Sequence, residues 1–211
     1  YGDHRDPHLN LRRQRQMCIR DSGDTTKPEV ALLFTGDEYF EGIDMIANTL
    51  KKEHIKGNFF LTGRLYQNPL AFPSIVKLKR HRNYMGPHSN QHLLYNDWMK
   101  RDSTLVTKDS FYVDLRSNYA IMETLGIHEQ ALYFVPPFEW WNTEVVSWCN
   151  QLNINVINFS PGIITNADYT YPQLGSAYKS SAYLIERLFD FEAQRNLNGA
   201  MILIHIGTDP R

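Results

Sequence analysis

Long apolar runs are missing from this chain. The longest, such as Met201-Ile202-Leu203-Ile204, have strand length and fall far short of the roughly 20 residues that span a bilayer. Cysteine is scarce too: Cys18 and Cys149 are the only two in 211 residues, which excludes a disulfide framework. A formal charge of −1 leaves no basis for nucleic acid or an anionic membrane as partner. No internal repeat, linker or low-complexity tract interrupts residues 27–211. What remains is a composition rich in Tyr, Phe and Trp, ordinary for a globular protein and sufficient for one domain with a sizeable core.

Residues 1–22 stand apart. They lack apolar periodicity and carry Arg12, Arg13, Arg15 and Arg20, with no apolar segment behind them to make a signal peptide. The run from Leu11 to Ser22 resembles translated sequencing-adapter read-through. The expectation is a disordered, non-native tail over 1–22 and one domain over 23–211. The stop at Arg211, directly after a strand and a short turn, predicts a C-terminally truncated domain lacking its last helix.

Within the domain, strand-like and helix-like segments alternate. Glu29–Phe34 is a continuous apolar run suited to a parallel strand, and Ile43, Ile46, Ala47 and Leu50 mark one face of a helix. Asn58–Thr62 reads as a strand, and the segment opened by Pro69 is amphipathic through Leu78. A short strand lies near Tyr84-Met85. Asp109–Leu125 reads as a helix with Asp109 as N-cap and Gly126 as terminator. Strands at Ala131–Val135 and Ile154–Phe159 flank a helix containing Val145, Val146 and Trp148. A last helix around Ser181–Asp190 precedes a strand at Ala200–His205. This alternation predicts an α/β fold, a (β/α) barrel or a doubly wound sheet.

Polar residues gather just after the strands. Gly86-Pro87-His88-Ser89-Asn90-Gln91-His92 carries two histidines four apart, which on a helical turn would aim at one metal ion. The zincin helix motif is excluded, because Ser89 rather than Glu follows the first histidine. Asp37 and Glu38 end one strand, His205 ends another, and Pro137-Phe138-Glu139 follows a third. Two imidazoles and a carboxylate form a usual catalytic zinc set; a second carboxylate and a further histidine supply base and acid. Each also has a plainer reading: Asp37 and Glu38 as helix caps, His205 as a core histidine.

In this order the motifs resemble those of the polysaccharide deacetylases of the NodB-homology type, carbohydrate esterase family four, over residues 29–207. Thr35-Gly36-Asp37-Glu38 is similar to the family's Thr-Phe-Asp-Asp, and His88-Ser89-Asn90-Gln91-His92 to its His-Ser/Thr-x-x-His. Val135-Pro136-Pro137-Phe138 lies over Arg-x-Pro-Tyr. Asn166-Ala167-Asp168-Tyr169 resembles the aromatic-acid region, and Leu203-Ile204-His205 the Leu-x-His motif.

The resemblance implies a distorted (β/α) barrel and metal-dependent removal of acetyl groups from a carbohydrate. Asp37 would be the general base and His205 the general acid. Glu38, His88 and His92 would hold one divalent ion, zinc by ligand type. The loop at Pro137 and Phe138 would bind substrate, with the Phe138 N–H at the oxyanion. Trp140, Trp141, Asp168 and Tyr169 would line the sugar site, the aromatics by stacking, with core packing as their alternative. Two positions depart from the pattern. Glu38 replaces an Asp, and Val135 stands where the family has an arginine, so Asp37 is expected to lose an influence lowering its pKa. The implied partner is an acetylated oligo- or polysaccharide, met outside the cytoplasm in a secreted or periplasmic setting; the sequence carries no signal for an oligomeric state. A non-catalytic sugar-binding relative and a metal-dependent amidohydrolase of small non-sugar amides are the alternatives.

Overall fold

The computed structural model describes residues 19–127 and 132–208. Among the described residues, seven parallel strands form two sheets. The larger has the order β4 (Tyr84–Pro87), β3 (Asn58–Leu61), β2 (Val30–Gly36), β7 (Ala200–His205). The smaller runs β1 (Ile19–Arg20), β6 (Asn155–Ile157), β5 (Tyr133–Phe134).

The sheets lean together edge to edge. Tyr133 N–H donates to the Tyr84 hydroxyl at 3.1 Å on one side. On the other, Ser160 N–H donates to Met201 O and Ser160 Oγ accepts from Met201 N–H, each at 2.9 Å. Leu33, Phe60, Val135, Ile157 and Leu203 fill the space enclosed, contributed by both sheets. This is the α/β, distorted-barrel architecture that the motif order implies. Strands buried on both faces have no polar side to show, which is why they read as continuous apolar runs.

Helices α1 (Ile43–Lys52), α2 (Gly63–Tyr66) and α3 (Phe72–Arg80) follow the strands of the larger sheet. Helices α4 (Lys108–Thr124), α5 (Thr143–Gln151) and α6 (Ser181–Arg195) complete the described layer. Ile43, Ala47, Leu50, Ile75 and Leu78 bury the helical stripe against Phe34, Phe59 and Leu61. The N-cap of α4 is Thr107, not Asp109: its side chain accepts from Ser110 N–H. Gly126 ends that region with φ 64°, which a glycine adopts at no steric cost.

The boundary drawn after Ser22 falls inside the fold. Ile19 and Arg20 pair with Val156 and Ile157, Ser160 Oγ donates to Asp21 O at 2.6 Å, and Ser22 bridges to Ala200. Backbone pairing does not require an apolar pattern, so nothing in the residue order marks it. Residues 1–18 of the expected tail, and Ala131 of the expected fifth strand, lie outside the described residues.

Parallel register brings the strand ends to one level. Thr35 pairs with His205, Gly36 with Leu61, and Leu61 with Pro87. The residues just beyond β2, β3, β4 and β7 therefore emerge on the same face, where barrel folds build their sites.

Candidate active site

A cavity of about 580 Å³ opens at these strand ends. Asp37, Glu38, His88, His92, Phe138 and His205 line it, together with Glu139, Trp98 and Tyr169.

Asp37 is firmly held. Thr62 Oγ1 donates to Oδ1 at 2.9 Å, and Arg64 Nε donates to the same oxygen at 2.5 Å. Arg64 Nη2 donates to Oδ2, completing a bidentate pair. Burial pushes the carboxyl up. The hydrogen bonds from Arg64 and Thr62 and the charges of His92 and Arg64 outweigh it, and the net shift is down. The influence expected to be lost with Val135 is supplied from elsewhere: Arg64, 27 residues away, brings the cation. The helix-cap alternative also falls, because α1 begins at Ile43 behind Gly42, with no side-chain cap.

His88 and His92 do converge, with ring centroids 5.1 Å apart, but not on a helix. The chain leaves β4 as an irregular loop with Ser89 and His92 in the left-handed region, at φ 73° and 55°. Buried Asp114 of α4 satisfies it, accepting from Ser89 Oγ at 2.6 Å and from the N–H groups of Asn90 and Gln91 at 3.0 Å. Asn118 Oδ1 accepts from His88 N–H at 3.0 Å. Donors that would otherwise need a helix ladder are paired by these side chains, so the loop is stable without one.

His88 Nδ1 lies 2.7 Å from Val135 O. A carbonyl only accepts, so Nδ1 carries the proton and Nε2 keeps its lone pair. Burial, then His92, pushes His88 down to about 3, leaving it neutral. Burial also lowers His92. Neutral imidazoles with a defined free nitrogen fit a metal ion. The third expected ligand is placed differently: Glu38 is exposed at the cavity rim, and no three His, Cys, Asp or Glu side chains gather into a metal set among the described residues. The histidine pair fits the implied ion; Glu38 does not join it in this conformation.

His205 is oriented from behind. Its Nδ1 lies 2.6 Å from Asp168 Oδ1, and its backbone N–H donates to Asp168 Oδ2 at 2.9 Å. Burial lowers its pKa, but the Asp168 hydrogen bond and the charges of Glu139 and Asp168 raise it further, for a net upward shift. The bland reading of His205 as a satisfied core histidine does not describe a cavity-lining imidazole with a carboxylate behind it. Asp168 in turn is not part of the cavity wall; it holds His205 rather than sugar.

After Pro136 the chain turns sharply, with Phe138 at φ 61° and Glu139 at φ 52°. Two consecutive non-glycine residues in this region are uncommon and mark a site where backbone position matters. Pro137 is buried beneath the turn and shapes it rather than facing the cavity. Phe138 is exposed, with its ring 4.4 Å from His92. Glu139 went unassigned in the sequence. Burial pushes its carboxyl up to about 7, with His205 opposing and Asp168 adding to the rise.

The aromatics divide differently from expectation. Trp141 is 4% exposed inside the core around Phe111, Phe134 and Val145, so it cannot stack on a sugar. Trp140 donates through Nε1 to Asp97 O, lies beneath the Arg101 guanidinium at 4.1 Å, and stacks on Trp98 with ring centroids 5.5 Å apart. Trp98 and Tyr169, 52% and 55% exposed, meet the cavity, as do Tyr39, Phe138 and Tyr171. Trp98 carried no sequence signal, because a lone tryptophan in a polar loop has no periodicity to mark it.

The polysaccharide deacetylase family profile matches residues 22–157. A peptidoglycan-N-acetylglucosamine deacetylase from Bacillus cereus is 25% identical over 169 residues, covering 77% of this chain; the chain spans 57% of that relative's length. Among solved structures, the family 4 carbohydrate esterase PdaA of Bacillus subtilis aligns with TM-score 0.68 at 20% identity, over 97% of this chain and 79% of its own. BA3943 of Bacillus anthracis, described as a CE4 family pseudoenzyme, aligns with TM-score 0.71 at 20% identity, over 90% of this chain and 59% of its own. With the family profile covering more than half its length, the chain belongs to the polysaccharide deacetylase family.

Proposed function

We propose that this chain hydrolyses acetyl groups from an acetylated saccharide, with N-acetylglucosamine of a peptidoglycan-type glycan as the first substrate class. The observation that carries the proposal is a pair of oppositely tuned groups on one cavity. Asp37 is favoured in its ionised form by Arg64 and Thr62, and His205 in its protonated form by Asp168. One can take a proton from water while the other gives one to a leaving group. The named activity of the Bacillus cereus relative supports the glycan class. Such a substrate would be met outside the cytoplasm, in a secreted or periplasmic setting.

In this reading the Asp37 carboxylate removes a proton as water oxygen bonds to the acyl carbon. The bond from that carbon to the sugar nitrogen or oxygen then breaks, and the departing atom receives a proton from His205 Nε2, its Nδ1 being held by Asp168. The Phe138 N–H donates to the developing oxyanion. A divalent cation, zinc by the chemistry of the donors, would be held by His88 and His92, and would acidify water and polarise the acyl oxygen. Trp98 and Tyr169 offer apolar faces to sugar rings.

The test is acetate release from N-acetylglucosamine oligomers, peptidoglycan and acetylated xylan by metal-supplemented protein. Asp37→Asn is expected to cost on the order of 100-fold, as for a positioned general base. Equal release by both proteins would remove Asp37 from its role. Zinc titration by calorimetry is expected to lose its signal in His88→Ala and keep it in His54→Ala. The exposed position of Glu38 favours one second reading, a saccharide-binding relative without turnover. That reading predicts oligomer binding with no acetate from any of the three substrates.

A further inference from the structure

We infer that Arg64 is the positioning residue of Asp37, taking the part that the resemblance gives to an arginine at position 135. This inference rests on the deacetylase reading and specifies how its base is held.

Position 135 is committed elsewhere. The Val135 side chain is fully buried with Leu33, Phe60, Ile157 and Leu203, where an unpaired guanidinium would be costly. Its carbonyl accepts from His88 Nδ1. The cation enters instead from the junction of β3 and α2. Thr62 caps α2, its Oγ1 accepting from Leu65 N–H at 3.2 Å while donating to Asp37. Gly63 N–H and Arg64 N–H donate to Ser89 O and Asn90 O, at 3.0 and 3.2 Å. The start of α2 is thereby fastened to the loop bearing both histidines. A Cβ on residue 63 would stand 1.9 Å from Asn90 Oδ1, so any larger residue here would have to displace the Asn90 side chain.

From that anchor the planar guanidinium meets the Asp37 carboxylate as a fork, fixing its plane as a lysine's point charge would not. A carboxylate offers about four lone-pair sites, and Thr62 with the two Arg64 donors takes three. The remaining one is on Oδ2, the oxygen 3.7 Å from His92 Nδ1 and therefore on the side of the histidine pair. The Arg64 side chain is 44% exposed, and ion pairs so open to water add little to stability. Position, rather than stability, is what this pair supplies.

The experiment compares wild type, Arg64→Ala, Arg64→Lys, Asp37→Asn and the Arg64→Ala/Asp37→Asn double variant. On the best acetylated oligomer, Arg64→Ala is expected to lower kcat roughly 10- to 100-fold with KM within about twofold, since small misplacements of a reacting group cost that much. Arg64→Lys is expected to recover part of the loss, and Arg64→Ala to cost nothing further once Asp37 is Asn. Unchanged kcat, a loss confined to KM, or full additivity in the double variant would overturn the inference. If wild type releases no acetate, the functional reading fails separately. Crystal structures of wild type and Arg64→Ala then decide the pairing: an Asp37 carboxylate that turns away once the guanidinium is gone supports it, and one that keeps its plane overturns it.

Discussion

Two carboxylates around His205 behave differently because their surroundings differ. Asp168 faces the imidazole through a 2.6 Å contact and raises its pKa, so protonated His205 persists to higher pH than an ordinary histidine. Activity that needs this proton is lost as pH rises through the raised pKa. Asp168→Asn is expected to shift the basic limb of the pH–rate profile to lower pH and to reduce kcat roughly 100-fold, as when a general acid is no longer held in place. Glu139 adds a stability effect of the same sign. Burial lifts its folded pKa to about 7, above the 4.5 of an ordinary glutamate, so the folded state binds its proton more tightly than the unfolded chain. Stability is therefore lost as pH rises between those values. Glu139→Gln is expected to flatten that part of the dependence, measured as melting temperature from pH 5 to pH 8. A variant that tracks wild type across this window would show that Glu139 titrates like an exposed acid.

Loops rather than helices carry the site, and each is set by a side chain on a neighbouring element. Asp114, on α4, accepts from four groups: Ser89 Oγ, two backbone N–H groups of the histidine loop, and Tyr95 OH at 3.2 Å. Asp114→Ala leaves buried donors without partners and is expected to cost about 2–4 kcal/mol in denaturant unfolding. It is also expected to weaken zinc uptake, since both imidazoles depend on this loop. The spacing of His88 and His92 was legible in the sequence, but the helix expected to present them was not correct. Spacing constrains which side chains can meet; a buried acid from another helix chose the backbone path.

At the scale of the whole molecule, ring closure joins the sheets and exposes the aromatic wall. Residues 19–22 pair along β6 and touch β7, so they contribute to closure. Deletion through residue 22 is expected to lower the melting temperature several degrees more than deletion through residue 18, at about 2–4 °C per kcal/mol for a chain of this size. Equal melting temperatures would show that the pairing adds nothing. Trp98 is fixed at the cavity mouth by Trp140 beneath Arg101, a rigid exposed face needing little ordering on binding. Trp98→Ala is expected to weaken binding of longer N-acetylglucosamine oligomers roughly 10-fold while affecting the monosaccharide less, read by calorimetry.

The sequence by itself determined the strands and most helices. Ala200–His205 is β7 residue for residue, and the stripe at Ile43, Ala47 and Leu50 is the buried face of α1. Such periodicity is local, written within one or two turns or a few alternating residues. It also determined which acids and histidines end the strands, because parallel strands release their chains on one face. Only the tertiary structure decided which partners they meet. Arg64 lies 27 residues from Asp37, Asp114 lies 25 from Ser89, and Asp168 lies 37 from His205. No local pattern links residues so far apart: their meeting depends on strand register and on the helix packing that brings α4 against the histidine loop. The same closure buried Trp141, left Trp98 exposed and gave position 135 to the core, so the cation for Asp37 comes from α2.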